Sequence, residues 1–483
     1  MNQGLGLRLL ALALVVVGCC CAALAETAAR NIVLIVAADH GREALGCCEN
    51  KAVTKPHFNA LAADGTRCTE AFCTTASCSP SRSVILTGPP NHRNGIDGFQ
   101  HHPPHFPPLD PVNNLQVLLA EAGYRTAQIG KFHFGPAAVS AFQTVRPAGA
   151  ANDPATIGRS PVEMAEPSRS LIEAHDARPF FFFLATDDPH RANAVLPEGN
   201  PPCETCPKSN RWGNRPQGYP GRTPVEFRAE DVSVAAYLPD SPAGRSELAE
   251  YYQAIARLDQ GVGRLIALLK SAGKYDAPDG LYFRQRRAVF RLEDHARQTR
   301  HASAVHRADP GPGVRGCGAK SDGHAGGSAA DLPRWVWDRG ADGGLRRTVF
   351  SRRTRRRETD GMGRGVRLAI VPRGAMDYPL RMVSTREFKL IPNLASGLPF
   401  PVANDLVHSP TWMSAKESGD GRFGRRPMER FLRGSEFELY DLARDPDEVV
   451  NLAEWPGHQR VKREPIAQMK AFQQATKDPW FHQ

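Results

Sequence analysis

Cys78, Ser79, Pro80, Ser81 and Arg82 stand directly before residues 83–86 and a Thr87–Gly88 stop. Proline suits the first turn of a helix, so this order predicts a helix begun by Pro80 with a thiol at its N-terminus. Exposed N–H groups and the helix dipole favour anions there and lower a thiol's pKa, as a nucleophile acting on an anionic group requires. The plainer alternative is a buried or disulfide-bonded cysteine. Three further polar clusters each follow an apolar run of strand length: Asp39 and His40 after 31–37, Lys131 and His133 after 126–130, and Asp187, Asp188 and His190 after 179–185. Any one alone reads as a capped strand end; their repetition is what suggests a site.

Runs that are apolar on both faces imply an α/β fold with a mostly parallel sheet between helices, and ligands of such sheets bind beyond the carboxyl ends of the strands. The three clusters therefore converge on one edge. Residues 57–65 and 115–123 have helical apolar spacing with glycine at the end, and 247–271 predict a longer amphipathic helix ending at Gly273.

The chain has 483 residues, 41% hydrophobic and 23% charged, which excludes disordered, collagenous and small disulfide-stapled classes. Its formal charge of +10 is local. Residues 277–375 hold 21 of the 61 Lys and Arg but 10 of the 51 Asp and Glu, leaving 40 against 41 elsewhere. That segment is nearly strandless in its pattern, carries five arginines in residues 352–357, and lacks the interleaved aromatics of a nucleic-acid surface, so no nucleic-acid partner is expected.

Residues 1–25 have the basic, apolar and small-residue order of a secretory signal peptide, and the run 9–17 is too short to be a transmembrane segment. Cleavage after Ala25 is the first expectation and lipidation at Cys19 the second. No Asn-x-Ser/Thr sequon occurs, so a periplasmic, cell-surface or secreted bacterial protein fits better than a lysosomal glycoprotein. Outside the leader and the basic segment seven cysteines remain, an odd number that leaves one for another purpose; Cys203 and Cys206 read as a loop disulfide or free thiols before a zinc site.

The order Cys-x-Pro-x-Arg followed by Thr-Gly resembles the signature of the sulfatase family, and the resemblance extends over nearly the whole chain outside 277–375. Residues 438–453, ELYDLARDPDEVVNLA, are similar to the family's C-terminal signature. Within the family the chain resembles hydrolases of N-sulfoglucosamine. The resemblance implies an alkaline-phosphatase-like domain over 26–375 and a smaller C-terminal α+β subdomain over 376–483. It implies that Cys78 is oxidised by a formylglycine-generating maturation enzyme, the hydrated aldehyde being the nucleophile. It also implies Asp39 and Cys78 as ligands of one divalent cation, Ca²⁺ in most relatives, and Arg82, Lys131, His133 and His190 as the rest of the catalytic set. Carboxylates suit a hard cation, Lys131 and Arg82 offset sulfuryl charge, His190 protonates the leaving atom, and His133 takes the proton that releases sulfate. The substrate so implied is a sulfated glycan, with a sulfamate or sulfate ester hydrolysed. A phosphate or phosphonate monoester, or glycan binding without catalysis, are the alternatives. The histidines at 101, 102 and 105, with Arg191, resemble the surroundings of an N-sulfate site.

Two departures stand out. The family's paired aspartates after the first strand are here Ala38 and Asp39, and its distal Asp-Asn pair is absent after the 247–271 helix. Yet Phe283, Arg284, Gln285 and Arg286 can be encoded TTC CGA CAA CGG, which one base later reads Ser-Asp-Asn-Gly. The same shift permits Gly-Ser-Lys-Thr-Thr from 291–296 and other family-like runs in order, and the chain resembles the family again from Met376. We therefore read 277–375 as a compensated frameshift, the rival being a genuine basic insertion that binds polyanions.

Overall fold

Residues 32–36, 125–130 and 180–185 form strands, as the apolar runs predict. A computed structural model describes most of residues 30–98, 114–191, 210–275 and 376–481, and between 276 and 375 the backbone of five strands. The leader, Cys203, Cys206 and the histidines at 101, 102 and 105 lie outside the described residues.

One sheet runs β2 (Thr66–Ala71), β7 (Ala302–Arg307), β6 (Gly280–Arg284), β1 (Ile32–Val36), β5 (Phe180–Ala185), β3 (Arg125–Gly130) and β4 (Thr144–Pro147). From β6 to β4 all neighbours are parallel, and β7 is antiparallel to both β6 and β2. β8 (Trp335–Arg339) and β9 (Leu345–Val349) form a hairpin. The expectation of a nearly strandless 277–375 is thus corrected: five strands fall inside it. Ladder bonds are made by main chain, so β6 can pair along β1 despite the charged composition around it.

β5 shows why the sheet is buried on both sides. Phe180, Phe182 and Leu184 pack with Leu258, Val262 and Leu265 of the long helix Pro242–Ser271, while Phe181 and Phe183 pack on the other face with Leu86 and Leu119. All four phenylalanines are completely buried, each worth about 1.5–3 kcal/mol. The long helix starts at Pro242, five residues before its apolar spacing does, because Ser241 caps it by accepting from Gly244 N at 3.1 Å.

A second, antiparallel sheet follows: β10 (Arg367–Arg373), β11 (Met376–Ser384), β12 (Phe388–Pro392) and β15 (Phe437–Asp441). The ribbon β13 (Arg422–Phe423) and β14 (Arg426–Pro427) and the helix Gln459–Thr476 complete this part. Among the described residues, no helix is long and apolar enough to cross a membrane.

The Asp188 carboxylate joins β5 to the long helix. It is fully buried and receives Arg257 Nε and Nη2 at 2.5 and 2.7 Å and Arg159 Nη1 at 3.2 Å. Arg257→Leu removes one partner of a buried pair, so it is expected to lower unfolding stability by about 3–5 kcal/mol in urea titration. A loss below about 1 kcal/mol, the usual worth of a surface pair, would contradict the role given to Arg257.

Candidate functional site

The ends of β1, β3 and β5 and the start of the Cys78–Thr87 helix bring the sequence-selected residues together. Cys78 is the first residue of that helix, 7% exposed, and is not part of a disulfide. Pro80 therefore sits inside the first turn instead of starting the helix; its missing N–H costs nothing there. Asn91 braces this turn from behind: fully buried, it donates through Nδ2 to Pro80 O at 2.9 Å and to Ile96 O at 2.8 Å.

Arg82 is buried and donates from Nη1 to the Lys131 carbonyl at 2.9 Å, tying the helix to the end of β3. The junction is tight. Gly130 has φ 93°, and a Cβ there would lie 2.1 Å from Ala185 O, so only glycine lets β3 close on β5; Lys131 N then donates to the same carbonyl at 2.8 Å. Lys131 is 6% exposed, with Nζ 3.7 Å from Asp187 Oδ1. Asp39 and His133 adopt left-handed backbone, φ 60° and 50°, at the ends of β1 and β3. Such conformations cost about 1–3 kcal/mol and gather at functional sites. Tyr251 steadies the first of these turns, donating from its hydroxyl to Asp39 O at 3.0 Å and accepting from Gly41 N at 2.8 Å.

The two histidines are driven apart. Burial pulls the His133 imidazole down to about 4; a hydrogen bond with Cys78 opposes this only in part, and Lys131 adds to it. His190 is also pulled down by burial and by Lys131, but Asp39, whose Oδ2 lies 3.5 Å from Nε2, and a hydrogen bond with Cys78 outweigh them and leave it raised. Its Nδ1 is 2.8 Å from Arg191 O; a carbonyl only accepts, so Nδ1 carries the proton and Nε2 faces Asp39 and Cys78. Cys78 is thus flanked by a neutral imidazole and one biased towards its cation.

Not every clustered residue joins the site. His40 is fully buried with its ring 5.8 Å from Phe58, and Asp188 belongs to the arginine pair described above. Arg191 makes a buried ion pair with Glu247 at 2.9 Å and stacks 4.7 Å from Trp212; Glu247 also accepts from Thr411 Oγ1 at 2.6 Å. Arg191 is therefore structural, not part of a sulfate pocket. The neighbouring Glu250 is half-buried, and burial followed by Glu247 raises it to about 7 against a lowering by Arg211. A raised acid stabilises the fold fully below the ordinary value of 4.5, and that contribution is lost as pH rises to about 7. Glu250→Gln is accordingly expected to gain on the parent in Tm between pH 5 and pH 8. An unchanged difference at the two pH values would contradict this.

Among the described residues, no three or more His, Cys, Asp and Glu side chains are arranged to hold a metal ion. The donors that are present still suit a hard cation. Asp39 offers a carboxylate, and Asp187, 1% exposed, has both carboxylate oxygens buried without a hydrogen bond.

The sequence model of the Sulfatase family matches residues 30–277. Human N-sulphoglucosamine sulphohydrolase is 30% identical over 476 residues, covering 93% of this chain and 91% of that protein. Among solved structures, a protein in complex with its substrate D-glucosamine-2-N,6-O-disulfate is 16% identical with a TM-score of 0.57, over 93% of this chain and 98% of that one. Phosphonate monoester hydrolase of Agrobacterium radiobacter is likewise 16% identical, with a TM-score of 0.56 over 93% and 96% of the two chains. At these identities the two structures speak for the fold, which is the one expected. With the family's sequence model matched over half its length and a 30%-identical relative spanning nine-tenths of it, the chain belongs to the sulfatase family of hydrolases.

Proposed function

We propose that this protein hydrolyses a sulfamate or sulfate ester on a glycan, with N-sulfoglucosamine of heparan-type chains as the favoured substrate. The observation that carries this is Cys78 at a helix N-terminus between two histidines of opposite protonation bias. Formylglycine derived from Cys78 would supply a hydrated aldehyde as nucleophile, and Asp39 and the residue at 78 would hold a Ca²⁺ ion, whose charge would make the nucleophile and a sulfate oxygen more polar. The chain's own groups do the rest. Lys131 and Arg82 balance sulfuryl charge, His190 gives a proton to the departing nitrogen or oxygen, and neutral His133 accepts the proton that frees sulfate. Two groups whose pKa values are pushed apart are the usual mark of such a division of labour.

The substrate preference rests on the human relative and on the glucosamine disulfate bound to a structural neighbour. With its reading frame restored as described next, the enzyme is expected to release sulfate from N-sulfated glucosamine faster than from 6-O-sulfated glucosamine or an aryl sulfate. Preference for the O-sulfated sugar would move the substrate while leaving the mechanism. The phosphonate monoester hydrolase among the neighbours favours a second reading, a phosphate or phosphonate monoester, and the same assay with a phosphonate ester decides it.

The reading of 277–375 as out of frame belongs to this proposal. It is supported by the family match ending at residue 277, and by β6, which ends at Arg284 beside Val36, three residues short of Asp39. In the shifted frame an Asp-Asn pair begins at that strand end. Sequencing the gene across codons 270–380 tests it: two compensating single-base shifts are expected, and an uninterrupted frame in independent clones would sink it.

A further inference from the structure

We propose that Asp187 supplies the carboxylate that this chain lacks at Ala38. The inference rests on the cation reading above. β1 and β5 run parallel with Val36 beside Ala185, and Thr186 N donates to Val36 O at 3.1 Å, so the ladder is still closed where the strands end. Ala38 and Asp187 are each two residues beyond that last pair. A carboxylate moved from one strand to its neighbour stays on the same edge of the sheet.

Asp187 is also short of partners. It is 1% exposed, both oxygens are buried without a hydrogen bond, and its ion pair with Lys131 is long at 3.7 Å. Burial alone does not leave an acid in this condition here: Asp188, the next residue, is equally buried and is met by two guanidinium groups. A buried carboxylate needs compensation, and two unmet oxygens at the end of the strand next to the one that carries Asp39 are the kind of ligand that a hard divalent cation takes. Lys131 shares Asp187 with the cation and keeps its remaining N–H groups for an anionic substrate.

The test is Ca²⁺ titration of the full chain by calorimetry in sulfate-free buffer, with folding checked by Tm without metal. The parent is expected to bind saturably, and the near-isosteric Asp187→Asn to bind about tenfold or more weakly, since ligand charge sets affinity in such sites. Adding Ala38→Asp to Asp187→Asn should restore binding to within about threefold of the parent. Equal affinity of the parent and Asp187→Asn would overturn the assignment and leave Asp187 as a counter-ion for Lys131. If the Ala38→Asp single variant binds Ca²⁺ and the parent does not, the assignment falls while the cation reading stands. If neither binds while the frame-restored chain does, the assignment falls; if the frame-restored chain does not bind either, the cation reading falls and takes this one with it.

Discussion

Restoring the reading frame across codons 277–375 is expected to turn a chain with little or no turnover into an active sulfatase. As translated, the chain would offer a cation Asp39, the residue at 78 and the carboxylate proposed for Asp187, but it lacks the Asp-Asn pair that the family resemblance implies after the long helix. Here β6 ends at Arg284, whose backbone pairs with Val36, and no acid stands in the three residues after it. Calcium sites are tuned over several orders of magnitude by charge count, so the affinity should rise by about 10²-fold or more when the pair returns. Turnover should follow it. Paired assays of the two proteins, each matured in a host with the formylglycine-generating enzyme, check this. Ordinary sulfate-ester hydrolysis by the unaltered chain would show that the ligands are wrongly assigned.

Cys78→Ala in the frame-restored enzyme is expected to cost roughly 10⁴-fold or more in kcat, because it removes the nucleophile and leaves only binding and electrostatic stabilisation. Stability should change little: the side chain is small, and the first turn keeps its main-chain bond from Ser81 N to Ser77 O at 2.7 Å and the brace from Asn91. Tm measured alongside turnover separates the two effects. A variant retaining a tenth of the parent rate would mean that Cys78 is a packed thiol, the plainer alternative weighed from the sequence.

The three strands that present the site were legible because each is a short run apolar on both faces, the pattern of a strand in a covered parallel sheet. The strand-end polar residues were legible for the same reason. What the sequence hid is tertiary partnership. Asp187 and Asp188 are adjacent and alike, yet Arg159 and Arg257, 29 and 69 residues away, take one of them into a structural pair and leave the other at the site. No spacing rule carries that. Tyr251 was hidden differently: within an amphipathic helix it reads as core, and only the fold brings its hydroxyl to the turn at Asp39. Strand β6 is hidden by the charged composition of its segment, because the main chain, which composition does not report, makes the pairing with β1.

The account turns on Cys78 as a nucleophile precursor, and the mass of the tryptic peptide that contains it is the most direct check. In protein purified from a host with the maturation enzyme, that peptide should be lighter than its translated mass, as thiol becomes aldehyde, and the converted fraction should track specific activity across preparations. An active preparation in which residue 78 remains a thiol would contradict the account.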